Sequence, residues 1–172
     1  MPQLDSFAAK DLSLLPPALL AAVEQAPLPD LLEGPRVAGL AKRLLDDTES
    51  AWSAIAPQQR PLCRSGLWLA AGDLDRSHSI SQDIGSAEGS FWHAIMHRRE
   101  GDFSNAKYWF GKVGQHPVLA QLAQLSEGTY ADPFDFVDAC ARVKRNDDPS
   151  YQQCQRNQWL EWQALMVHCI VM

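Results

Sequence analysis

The sequence predicts an all-α fold of stacked antiparallel helix hairpins in one domain, and three observations carry that prediction. No segment holds the period-two alternation of a half-buried strand. From Arg36 onward, apolar residues recur at intervals of three and four with charged residues between them. Two Gly-Asp-apolar steps, Gly72-Asp73-Leu74 and Gly101-Asp102-Phe103, lie 29 residues apart and mark two copies of a helix-turn-helix unit. With 172 residues, 46% of them hydrophobic and 21% charged, the chain carries apolar material for a single core.

Residues 1–35 hold six of the eleven prolines, so only short helical pieces fit there, and they read as a Pro-rich arm wrapped over the body. The remaining residues, 36–172, form a single α-helical domain with a hairpin core at about 62–117. Val37, Leu40, Leu44 and Leu45 set a helix from about Arg36 to Ile55. Beyond the break from Pro57 to Pro61, Leu62, Leu67, Trp68 and Ala71 give another that stops at Gly72, where a residue without a Cβ closes a helix in the left-handed conformation. Asp73 caps the next helix, and Ser86 to Glu100 form the one after it. Gly101 and Asp102 repeat the stop and the cap. Pro117, Asp132-Pro133 and Asp148-Pro149 mark three further starts, with helices over 117–127, 133–145 and 149–170. In the last, Trp159, Trp162, Met166 and Cys169 line one apolar stripe.

Twenty-one acidic residues against fifteen basic give a formal charge of −6, which argues against binding nucleic acid or anionic membrane surfaces. The longest apolar run, Leu14 to Val23, is too short and too interrupted to cross a bilayer. The first residues lack a signal-peptide pattern, so the expected location is the cytoplasm. Cys63, Cys140, Cys154 and Cys169 form no CxxC pair and read as reduced, buried thiols.

Ala94, Gly101, Phe103, Ala106, Phe110 and Pro117 resemble the spacing of the tetratricopeptide repeat, in which small residues let paired helices approach and aromatic ones fill the gap. The period is shorter than the usual 34 or so, so the hairpins are tetratricopeptide-like with irregular repeats. The spacing places Ala94 and Ala106 against each other. Gly89 to Pro117, which contains WHAIMHRREGDFSNAKYWF, also resembles the signature of a family of uncharacterised bacterial proteins with similar sequences in fungi. LDRSHSISQDI upstream and DPFDFVDAC downstream belong to the same pattern. This resemblance spans about 62–140 and implies the helical fold without implying a mechanism.

Polar chemistry concentrates between residues 61 and 117, which hold four of the five histidines and three of the six tryptophans. His93 and His97 stand one turn apart on a helix face, with Glu100 at its next step. His78, on the preceding helix, supplies a third nitrogen, so His78, His93, His97 and Glu100 form a candidate set for a divalent transition metal. Ala94 stands where HExxH has its general-base glutamate, which excludes a zinc-peptidase of that kind. The same histidines also fit a hydrogen-bonded polar core with no ligand. Arg98 and Arg99, with Lys107 and Lys112, read either as a basic patch for a carboxylate or phosphate or as a solvated face of ion pairs. Two functions follow. One is a binding module, needing no cofactor, that presents His93, His97, Arg98, Arg99, Asn105 and Tyr108 to a protein segment or a small anionic molecule. The other is a metal-dependent or acid/base enzyme built on the His/Glu cluster. GxSxG, GxxxxGK[ST] and GxGxxG are absent.

Overall fold

The computed structural model describes residues 4–143 and 149–172, and the regular structure in them is entirely helical, with ten α-helices packed as one domain. The arm forms α1 (Ser6–Leu12) and α2 (Pro17–Gln25), the latter with proline in its first turn. Leu12, Leu15, Leu19, Val23 and Leu31 are buried in the same apolar cluster as the rest of the chain, so the arm is a wall of the core as well as a wrapping. Helix α3 spans Ala38–Leu45 and stops well before Ile55. The polar run after it ends the helix. Asp46 takes the Lys42 ammonium at 2.5 Å, and Asp47 turns inward to accept from the Trp52 indole and from Arg64. A 3-10 turn, Glu49–Trp52, follows.

Helices α4 (Arg60–Ala70) and α5 (Leu74–Ser81) form the first hairpin, and α6 (Ala87–Glu100) and α7 (Phe103–Val113) the second. Their turns are built alike. Gly72 and Gly101 have φ of +73° and +87°. The amide of Asp73 donates to the Trp68 carbonyl and that of Asp102 to the His97 carbonyl, both at 3.0 Å, which closes each helix with the same wide loop. The two carboxylates then accept from the amides of Arg76 (3.2 Å) and Asn105 (3.1 Å), starting the next helix. Ala94 and Ala106 are both fully buried in this second hairpin.

Helices α8 (Pro117–Leu125), α9 (Pro133–Arg142) and α10 (Pro149–Val171) complete the chain. Asp132 caps α9 through the amides of Phe134 and Asp135, whereas the expected cap Asp148 lies outside the described residues. The predicted single stripe on α10 is replaced by burial on every side from Asn157 to Met166, because α1, α4, α8 and α9 surround it. Trp159 and Trp162 stack with centroids 4.9 Å apart. Gly66 lets α4 reach this helix: a Cβ there would come within 2.7 Å of Met166 and Trp92, and its carbonyl accepts from the Trp162 indole at 2.7 Å. At the other end of the sequence, the Asp5 amide donates to Gln163 at 2.8 Å and the Asp5 carboxylate pairs with Arg156, docking α1 onto α10. Among the described residues no helix is long and apolar enough to cross a membrane.

Candidate metal centre

Stacking of the first hairpin on the second brings α5 against α6, and with it His78 against His93 and His97. Ring centroids are 4.7 Å apart for His78 and His93, 4.7 Å for His93 and His97, and 5.5 Å for His78 and His97. One ligand nitrogen from each ring lies within 4.8 Å of the other two. Two of the rings are held from behind. The Ser81 hydroxyl, three residues beyond His78 on α5, sits 3.0 Å from His93 Nδ1, and the Glu100 carboxylate sits 3.0 Å from His97 Nδ1. Each contact fixes a ring and leaves its Nε2 for another partner. Trp109 on α7 covers His93 at 4.1 Å, and the Lys112 ammonium lies over Trp109 at 4.4 Å and over Tyr108 at 4.7 Å.

His93 and His97 are buried and His78 half-buried, which gives the cluster one side toward solvent. Burial first, then the neighbouring His97, His78 and Lys112, push the His93 imidazole down to about 4. It is neutral at physiological pH and has a lone pair to give.

The predicted residues are placed unequally. The three histidines converge. Glu100, predicted as a ligand, stands behind His97, half exposed, and orients it. The arginines are not on a groove or a solvated face. Arg98 is fully buried, donating to Glu161 at 3.0 Å and to Gln158 at 3.4 Å, with its guanidinium 4.5 Å over the Phe136 ring. The Tyr130 hydroxyl donates to the same Glu161 carboxylate at 2.7 Å. Arg99 is buried on another side of α6 and donates to the Leu69 carbonyl. Sequence periodicity hides this because α6 is enclosed all round, so charged residues in it do not mark a wet face. Asn105 is half-buried and Tyr108 is 58% exposed, both on α7. Lys107 pairs with Asp138 at 2.6 Å.

A second convergence escapes sequence reading because α6, the cap of α8 and α10 build it together. Glu88, in the first turn of α6, lies 3.3 Å from His116 Nε2 and 3.3 Å from His168 Nε2. His116 Nδ1 accepts from the Val118 amide at 3.3 Å, so the ring proton sits on Nε2 and points at Glu88. No lone pair remains there for a metal. Against burial, which alone raises it, hydrogen bonds from Ser86, its own amide, His116 and His168 hold the Glu88 carboxyl down at about 2. The two clusters differ in this respect: His93 and His97 are held at Nδ1 with Nε2 left over, whereas both nitrogens of His116 are engaged.

Comparison with protein-family profiles, curated proteins and solved structures finds no match to this chain.

Proposed function

We propose that this helical-hairpin protein is a metal-dependent enzyme that holds one divalent transition ion, zinc by ligand type, between its two hairpins through His78, His93 and His97. The observation that carries this is the convergence of three imidazoles, two of them fixed at Nδ1 by Ser81 and Glu100. Metal-binding histidines usually have such a partner behind the ring. An all-nitrogen set suits zinc, and three protein ligands leave the fourth position of a tetrahedral ion for water or substrate. The ion would supply a bound water acidified to a pKa of about 7 and a charge to polarise a substrate oxygen. Four buried thiols without a disulfide fit a reducing compartment such as the cytoplasm, and the net charge of −6 favours small molecules over nucleic acid.

Titration of metal-free protein with cobalt(II) and zinc tests the assignment. The expected result is one ion per chain, the intense visible absorption of four-coordinate cobalt, and affinity lowered at least about tenfold by His78→Ala, which alters the most exposed of the three rings. Absence of binding at millimolar metal, or binding that His78→Ala leaves unchanged, refutes it. A metal-free protein would return the function to a binding module presenting Asn105 and Tyr108 on α7.

A further inference from the structure

The four cysteines stand as buried thiols, and two of them meet. Cys140 on α9 and Cys154 on α10 are hydrogen-bonded to each other through their side chains, where the two helices pack together. They also lie nearer the surface than the other pair. Cys154 is 7% exposed and Cys140 2%, whereas Cys63 and Cys169 are both at 0%. Cys154 lines a half-open cavity of about 220 Å³ with Ala139, Arg142, Val143 and Ser150, far more room than one small hydrophilic molecule needs. Ala139, the residue before Cys140, shares that wall, so the cavity reaches the place where the two thiols touch.

The contact also divides the two sulfurs by role. The hydrogen bond to Cys154 first, then burial, push the Cys140 thiol up against the opposing charge of Arg98, so Cys140 keeps its proton and directs it at the Cys154 sulfur. The more exposed sulfur is therefore the one that ionises and attacks, and the deeper one resolves. A solvent-reachable thiol beside a second thiol is the arrangement of redox-sensing cysteines. We infer that Cys154 and Cys140 are a peroxide-sensitive pair that closes reversibly to a disulfide between α10 and α9. The Cys154 thiolate attacks one oxygen of hydrogen peroxide and the O–O bond breaks. The sulfur is oxidised to a sulfenic acid, and the departing hydroxide takes up the Cys154 proton as water. Cys140 then gives up its proton and attacks that sulfur, so the S–S bond forms, the S–O bond breaks and a second water leaves. Two thiols and one peroxide give one disulfide and two waters, and a dithiol reductant reverses the product.

Peptide mapping tests this. The folded parent protein is treated with hydrogen peroxide, denatured, alkylated with N-ethylmaleimide and digested with trypsin, which cuts after Arg142 and so separates the two cysteines. The expected product is the Cys140 peptide joined to the Cys154 peptide, lighter by two hydrogens than the two thiol peptides together and split again by dithiothreitol, with Cys63 and Cys169 alkylated. Alkylation of both Cys140 and Cys154 after oxidation, or a mixture of pairings that includes Cys63 or Cys169, overturns the inference. The order of attack has its own readout. In Cys140→Ala, peroxide should leave a sulfenic acid on Cys154 that dimedone labels, whereas Cys154→Ser should lose that labelling; dimedone on Cys140 instead overturns the assigned roles. Should either variant fail to fold, the cross-link in the parent decides alone. None of these readouts depends on the histidine site or its metal.

Discussion

Glu161→Leu takes away the only carboxylate that faces Arg98 among the described residues, and its cost follows from the geometry. Both side chains of the pair are fully buried, so the guanidinium has no water to turn to. Removing one partner of such a pair costs about 3 to 5 kcal/mol, because the remaining ion is left uncompensated. In a chain of this size each kcal/mol moves the melting temperature by about 2 to 4 °C, which gives an expected fall of about 6 to 20 °C. Tyr130→Phe removes only a donor to the same carboxylate and should cost about 1 to 2 kcal/mol. The informative comparison is the double variant Arg98→Met with Glu161→Leu. It removes both ions and leaves the Tyr130 hydroxyl as the principal orphan, so it should recover to within about 1 to 3 kcal/mol of the parent. Urea denaturation with an unchanged slope reads the parent, these variants and the single Arg98→Met. A Glu161→Leu midpoint equal to the parent's, or a double variant as unstable as the sum of the singles, would show that the pair is not an isolated buried ion pair.

Acid should reach the second cluster early. The Glu88 carboxyl titrates at about 2 in the folded protein and near the ordinary 4.5 when unfolded, so its contribution is complete above pH 4.5 and is lost as pH falls toward 2. Urea midpoints of the parent should fall across that window more steeply than those of Glu88→Gln, and parallel curves would contradict the assignment. Ala106→Leu should destabilise by about 1 to 3 kcal/mol through overpacking, since Ala106 is fully buried; an unchanged midpoint would place the alanine outside the packed contact between α6 and α7.

The sequence reveals what is local. The Gly-Asp steps, the proline starts and the aspartate caps each depend on a few consecutive residues, and all those within the described residues form as predicted. The histidine site is half local: His93 and His97 share a face by helical periodicity, and the repeat brings His78 alongside. What escapes is set by partners far along the chain. Arg98 reads as a surface charge until Glu161, 63 residues away, is folded against it. The Glu88, His116 and His168 cluster joins two helices and the cap of a third with no spacing to announce it. The burial of α10 on every face erases the amphipathic contrast that periodicity depends on, and the early end of α3 reflects acceptors in Asp46 and Asp47 that act against their own helix.

The docking of α1 on α10 has a temporal side in the cell. Asp5 and Gln163 stand 158 residues apart, and α10 is the helix around which α1, α4, α8 and α9 close. On a ribosome adding about 5 to 20 residues per second, α1 waits about 8 to 30 seconds for its partner to be made. The two Gly-Asp hairpins can form from contacts close in sequence during that interval, but Leu12, Leu15, Leu19 and Val23 have no finished core to enter. Until α10 is made, the apolar side chains of α1 and α2 therefore lack the helix that completes their burial.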